Sequence, residues 1–186
     1  ASLWKYDGIS LTICHTLSQA YFVHEIIEFD GRLIISANDS TRGGELFQYA
    51  NSTFSFLHEN RPGSDGSLPF DFTSYNSKLY MSANDGTGEE LWVYDGTNFS
   101  MAANINPAAG QGSLLGGLTA YNGLLYFQAN DGTNGRALWS WNGTTAQMVH
   151  DFDSTGMGWG PDNLVAFKNK LYLNASDHAG RTVWWN

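Results

Sequence analysis

Hydrophobic and polar residues alternate with a period of two in short runs, and the same run returns along the chain. One face carries Leu33, Ile35 and Ala37, then Leu79, Met81 and Ala83, Leu125, Phe127 and Ala129, and Leu171, Leu173 and Ala175. The other face carries Ile34, Ser36 and Asn38, then Tyr80, Ser82 and Asn84. Period two over six residues marks a strand, because successive side chains leave a pleated backbone on opposite sides. A second phrase accompanies each run: Leu3-Trp4-Lys5-Tyr6, Leu46-Phe47-Gln48-Tyr49, Leu91-Trp92-Val93-Tyr94, Leu138-Trp139-Ser140-Trp141 and Val183-Trp184-Trp185. It is apolar on both faces, with Trp92 and Tyr94 on one side and Leu91 and Val93 on the other. Such a strand must be covered on both sides.

Turn signals separate the runs. Phe29-Asp30-Gly31-Arg32, Tyr75-Asn76-Ser77-Lys78, Tyr121-Asn122-Gly123-Leu124 and Phe167-Lys168-Asn169-Lys170 join a first strand to the second. Asp-Gly and Asn-Gly favour tight hairpins, since both turn residues must accept positive φ. Another such turn, at Asp95-Gly96 and Asn142-Gly143, leads to a fourth strand at 54–57, 99–102 and 146–149. No amphipathic pattern of period 3.6 lasts ten residues, so no helix is expected.

The aromatic phrase recurs about every 45 residues, and a strand-rich repeat of that length is the signature of a β-propeller blade. The expected fold is therefore all-β: a single domain over residues 1–186, a four-bladed β-propeller of four-stranded antiparallel blades. The units run roughly over 21–58, 69–103, 115–150, and 163–186 plus 1–15. Both ends of the sequence fall inside a unit, so the N-terminal and C-terminal strands are expected to close the ring, removing exposed sheet edges. The third strand is then supplied twice, around Trp4 and around Trp184. One copy is displaced or pairs with another chain, which keeps a homo- or hetero-oligomer open as an alternative.

Composition narrows the partners. The formal net charge is −9, with nine Lys and Arg. That leaves no electrostatic footprint for nucleic acid and predicts repulsion from anionic membranes. No run approaches a membrane span. No basic segment followed by an apolar one opens the sequence, so it is expected to be mature or not exported by that route. Cys14 is the only cysteine, which excludes an intrachain disulfide and reads as a small hydrophobe in a strand.

The stretch Asn84-Asp85-Gly86-Thr87-Gly88-Glu89-Glu90-Leu91-Trp92-Val93-Tyr94-Asp95-Gly96-Thr97 resembles bacterial and marine-invertebrate repeats of the "LYF.AND…ELW..DGT" type. Residues 130–139 match nearly as well, 38–47 and 176–184 more loosely, so the resemblance spans essentially the whole chain. It implies a propeller with a non-catalytic, often extracellular role, and no particular ligand. Four-bladed rings are similar in architecture to the hemopexin type, which implies a divalent cation on backbone carbonyls of a central channel.

Candidate chemistry is sparse. Asp39, Asp85, Asp131 and Asp177 each follow the second strand in glycine-containing loops. Calcium would suit the oxygen ligands, but the spacing departs from the twelve-residue calcium loop. The competing reading is a turn in which the carboxylate accepts backbone N–H bonds. His15, His58 and His150 recur in register and raise zinc or copper as ligands. On outermost strands, however, they would lie far apart; His24 and His178 show no partner. No Gly-x-Ser-x-Gly, His-Glu-x-x-His or phosphate-cradling loop is present, and Cys14 and His15 point to opposite faces, so no enzyme is expected.

Glycine-rich linkers join the units at 60–67, 106–113 and 153–162, and loops on a rigid scaffold are where binding usually lives. Trp159, flanked by glycines, offers a stacking platform or a plug for the ring. With it, Met157, Asp162, Asp65, Gln111 and Tyr21 form the candidate ligand-binding set. The first expectation is a lectin-like or adhesive module binding a glycan or small molecule through these loops. The alternative is a carrier of an apolar small molecule or pigment, carotenoid-like, at an aromatic groove or subunit interface. Asn-x-Ser/Thr triplets at Asn38, Asn51, Asn98, Asn142 and Asn174 accord with an extracellular location.

Overall fold

A computed structural model describes residues 2–17, 22–153, 160–176 and 182–185, the last through their backbone. The described residues contain β-strands and no helix. The chain divides into two compact units, Ala1–Phe70 and Asp71–Asn186.

In the first unit, β1 (Ser2–Tyr6) and β2 (Leu11–Thr16) form an antiparallel hairpin. Then β3 (Phe22–Phe29), β4 (Arg32–Asp39), β5 (Gly43–Ala50) and β6 (Thr53–His58) form a four-stranded antiparallel sheet in sequential order. The second unit holds three antiparallel sheets in sequential order, two of four strands and one of three. The first contains β7 (Phe70–Tyr75), β8 (Lys78–Asn84), β9 (Glu89–Tyr94) and β10 (Phe99–Ala103). The second contains β11 (Gly116–Tyr121), β12 (Leu124–Asn130), β13 (Arg136–Trp141) and β14 (Ala146–His150). The third contains β15 (Asp162–Phe167), β16 (Lys170–Ser176) and β17 (Thr182–Trp185).

The turns between first and second strands are two-residue turns with both central residues at positive φ. The pairs are Asp30 (53°) and Gly31 (73°), Asn76 (48°) and Ser77 (59°), Asn122 (46°) and Gly123 (77°), and Lys168 (47°) and Asn169 (59°). That conformation matches the right-handed twist of the flanking strands. The Asp95-Gly96 and Asn142-Gly143 turns after the third strand differ from the expected tight hairpin. Asp95 Oδ1 accepts the N–H groups of Thr97 (2.9 Å) and Asn98 (2.7 Å), and Asn142 Oδ1 those of Thr144 and Thr145 (both 2.9 Å). The side chain takes donors that would otherwise cross the hairpin, which widens the loop.

Burial follows the alternation. Leu79, Met81, Ala83, Leu125, Phe127 and Ala129 are fully buried, and in β9 both Leu91 and Trp92 are buried. Cover comes from sheets stacked face to face. In the second unit, Tyr80 and Leu91 of one sheet pack with Leu125, Phe127 and Trp141 of the next. Leu138 of that next sheet packs with Leu173 and Ala175 of the third. In the first unit, Leu3 of the hairpin packs on Ile35, Ala37 and Phe47, and the His15 ring stacks on Phe54 with centroids 5.1 Å apart.

Hydroxyl groups tie the sheets of the second unit together. The Tyr75 phenol donates to Gly123 O (2.7 Å) and the Tyr121 phenol to Asn169 O (2.6 Å). Two residues earlier on each strand, Thr73 donates to Leu118 O (2.8 Å) and Thr119 to Leu164 O (3.1 Å).

Buried glutamates fasten the linkers. Glu45 is fully buried opposite Ala37, and its carboxylate accepts the N–H groups of Asn60, Arg61 and Ser67 at 3.0–3.1 Å and the Ser67 hydroxyl at 2.5 Å. Glu90 occupies the same place opposite Ala83 and accepts the N–H groups of Ile105 (2.7 Å) and Asn106 (3.2 Å). In β13 that place is Ala137, opposite Ala129, so no carboxylate is available there to hold the linker.

Candidate functional site

The sharpest local difference among the repeats lies one residue before these glutamates. Gly44 pairs with Asn38, Glu89 with Asn84, and Arg136 with Asn130, so the three occupy one position of the repeat. Each is met by a residue of the linker that follows. The Leu68 side chain lies against Gly44, leaving no room for a Cβ there. Against Glu89 lies Gly112, and Ser113 N–H donates to Glu89 O at 2.7 Å. Gly160 lies against Arg136 so closely that a Cβ on it would overlap Arg136 Cβ. Leu68 and Leu114, each with positive φ (45° and 51°), fall 46 residues apart, and Gly160 follows Leu114 by the same interval.

The slot is therefore finished differently in each linker. Leucine fills it beside Gly44. Beside Glu89 the glutamate turns inward. Its carboxyl pKa is raised by burial, against the Leu115 N–H and the attraction of Arg136. At the third linker a glycine replaces the leucine and an arginine replaces the glutamate. A cavity of about 320 Å³ stands there, between β11–β14 and β15–β17, lined by Gln128, Arg136, Gly160, Asp162, Asn174, Ala175 and Ser176.

The lining is polar because two further positions changed with it. Gln128 and Asn174 stand where the first two sheets have the fully buried Ser36 and Ser82. Gln128 pairs with Gly116, and Asn174 pairs with Asp162 in the corresponding register. Asn163, at φ 51°, anchors one wall. Its amide Nδ2 donates to Asp162 Oδ2 (3.2 Å) and to Asn174 Oδ1 (2.9 Å), and its N–H to Asp162 Oδ1 (2.7 Å). The Asn174 amide nitrogen is thereby left as a donor. On the other wall Gln128 Nε2 reaches Leu114 O at 3.4 Å, which orients its Oε1 as an acceptor. Among the described residues the half-buried Arg136 forms no ion pair within 4 Å and is the only cation lining the cavity; the charge nearest it in effect is Glu89, whose carboxyl it attracts.

A second, larger hollow of about 550 Å³ lies at the turn end of the same sheets, lined by Tyr121, Asn122, Ala166, Phe167, Lys168 and Asn169. The phenol of Tyr121 is spent on Asn169 O, and the Lys168 ammonium sits 5.2 Å from the Phe167 ring centroid. Its walls are hairpin turns common to every repeat, so it lacks the differentiation of the Arg136 cavity.

Of the residues expected to bind ligand, Asp162 lines the Arg136 cavity. Asp65 belongs to the first unit, is exposed and is ion-paired with Arg61 at 2.9 Å. Gln111 is exposed on its linker and donates its N–H to Ala108 O. Tyr21, Met157 and Trp159 lie outside the described residues, as do Asp177 and His178. Arg136, Gln128 and Ser176 were not among the sequence candidates, and Asn174 was named only for its Asn-x-Ser triplet, because the sequence reading followed what the repeats share. Comparing the repeats for departures would have found them.

The metal candidates separate. Asp39 Oδ1 accepts the N–H groups of Thr41 (2.8 Å) and Arg42 (2.5 Å), and Oδ2 accepts from the Arg42 guanidinium (2.9 Å). Burial opposes its ionisation, but these bonds outweigh it and bring its pKa down to about 2. Asp85 and Asp131 cap their turns through Thr87 and through Thr133 and Asn134. His15, His58 and His150 sit opposite Leu3, Leu46 and Leu138 on the outer strands of three different sheets. Among the described residues no three His, Cys, Asp or Glu side chains converge, and no helix is long and apolar enough to cross a membrane.

No family model matches the chain. Neither does any curated protein match it.

Proposed function

We propose that this protein is a non-catalytic binding module, lectin-like or adhesive, which holds a small polar ligand, a glycan in the first instance, in the cavity around Arg136. The observation that carries this reading is the concerted departure at one linker. Arginine, glycine, glutamine and asparagine occur together where the other repeats have glutamate or glycine, leucine and serine. Putting glycine in place of the half-exposed Leu68 and Leu114, and longer amides in place of the buried serines, opens a polar-walled hollow that a bound ligand would fill. In the same reading the sheets are blades of a four-bladed propeller of the "ELW..DGT" repeat type, closed by its N- and C-terminal strands and working outside the cell. A glycan array, followed by a tryptophan-fluorescence titration of the intact chain and of Arg136→Ala, tests it. Binding weakened by that change supports the reading, and silence across a broad panel overturns it.

A second reading, carriage of an apolar molecule such as a pigment, is favoured by the hairpin. Trp4 pairs with Ile13 and Tyr6 with Leu11, and all four are at least half exposed. The corresponding residues of β9, Trp92 and Tyr94, are buried. An apolar strip of this kind marks an interaction surface. A visible absorption band in protein purified from its natural source would favour this reading; a colourless preparation would end it.

A further inference from the structure

We infer that the Arg136 cavity selects a sugar bearing a carboxylate, a single hexuronate ring. This rests on the glycan reading and deepens it. The volume, about 320 Å³, is at the small end of the roughly 300–1,000 Å³ of ligand sites, so it takes one ring rather than an oligosaccharide.

The chain carries a formal net charge of −9, and its overall field therefore repels anions. An arginine in such a protein, already near the carboxylates of Glu89 and Asp162, attracts a further anion only at contact range, where its planar fork can grip a carboxylate through two parallel N–H bonds. Arg136 is placed for that. It lines the cavity without an ion pair among the described residues, at the repeat position where Gly44 and Glu89 stand elsewhere.

The opposite wall discriminates among anions. Asp162 faces the same cavity, and its carboxylate already accepts two bonds from Asn163. A phosphate or a simple carboxylate that filled the hollow would meet this negative charge. A uronate instead turns hydroxyl groups toward it, and hydroxyls donate to a carboxylate. The amide hydrogens of Asn174, without a partner among the described residues, and the Oε1 of Gln128 supply a donor and an acceptor for the remaining hydroxyls. A neutral hexose would satisfy Asp162, Asn174 and Gln128 but offer no carboxylate for the Arg136 fork to grip.

The test is calorimetric titration of the whole chain, made in bacteria so that Asn174 of the Asn174-Ala175-Ser176 triplet is unmodified. The probes are galacturonate, glucuronate, galactose, glucose, acetate and phosphate. The expected result is that at least one uronate binds ten-fold or more tightly than its neutral hexose and than acetate or phosphate. Arg136→Gln should remove that preference while leaving the weak hexose affinity. If a neutral hexose binds as well as its uronate, the carboxylate selection is overturned and the glycan reading stands. If phosphate or acetate matches the uronate, the site is a plain anion site and the inference is equally overturned. If none of the saccharides binds and the array is also silent, the glycan reading falls with it. The comparison among probes uses the unaltered protein, so it holds whether or not Arg136→Gln folds.

Discussion

The hydroxyl of Ser67 donates to the carboxylate of Glu45 across 2.5 Å, inside a pocket that solvent does not reach. Three backbone N–H groups converge on the same carboxylate. The bond fixes the far end of a linker to the strand it left 22 residues earlier. Glu45→Ala removes the acceptor and leaves buried donors unpaired, which should cost about 3–5 kcal/mol. Glu45→Gln keeps one acceptor oxygen and should cost less. Urea unfolding of the two variants decides; equal stability of Glu45→Ala and the parent would show that the clamp is dispensable.

The two tyrosine latches of the second unit should be separable from packing. Tyr75→Phe and Tyr121→Phe keep the ring and lose only the bond to Gly123 O or Asn169 O. Each should lower stability by about 1 kcal/mol. Phe29 and Phe167 already stand at the matching turns of β3 and β15, so the backbone tolerates the change. Thermal melts that do not shift would show the phenols to be satisfied equally well by water.

Acid and base should act in opposite directions on the two kinds of carboxylate. Burial raises the pKa of Glu90, against the N–H bonds from Ile105 and Asn106, and burial likewise raises Glu89. A raised acid binds its proton more tightly folded than unfolded. Stability from these groups is therefore fully present below the ordinary value near 4.5 and declines as pH rises through the raised values. Asp39, lowered to about 2, behaves oppositely. Its contribution is present above 3.8 and is lost as pH falls through about 2. Glu89→Gln should flatten the decline above pH 4.5 in a plot of unfolding free energy against pH. An unchanged slope would assign the dependence elsewhere.

Ser77 occupies the second central position of a two-residue hairpin at φ 59°, where the equivalent residues of two other repeats are Gly31 and Gly123. Ser77→Gly removes the strain of a Cβ in the left-handed region and should stabilise by about 0.5–1 kcal/mol. The check is the denaturation midpoint, which should rise without a change in slope.

Gly160 should be intolerant for a different reason. Its backbone needs no left-handed φ, yet a Cβ would collide with Arg136 Cβ. Gly160→Ala should cost about 1–3 kcal/mol through forced displacement and should close the cavity. Retained ligand affinity in this variant would show that the ligand sits elsewhere.

Strands, turns and their order were legible in the chain, because each rests on local chemistry. Alternating Leu79, Met81 and Ala83 need only a pleat, and Asn122-Gly123 needs only tolerance of positive φ. The turn-capping roles of Asp85 and Asp131 were legible for the same reason, since their partners lie two and three residues on. Glu45 and Glu90 were missed, because their partners lie 15 to 22 residues away and only the return of the linker brings them near. Asp162 was named from its loop without its neighbours. Asn174 meets it across the β15–β16 pair, and Arg136 is brought to it from the neighbouring sheet.

Periodicity by itself determined that the chain is a series of like antiparallel sheets, apolar on both faces of the third strand. That follows because side-chain direction in a strand alternates whatever the surroundings. Tertiary structure decided which repeat is unlike the rest in consequence as well as in spelling. A glycine for a leucine and an arginine for a glutamate are small changes in a string of letters. They become a polar cavity only because sheet stacking sets Gly160 against Arg136 and leaves the vacated volume between two walls that cannot collapse onto each other.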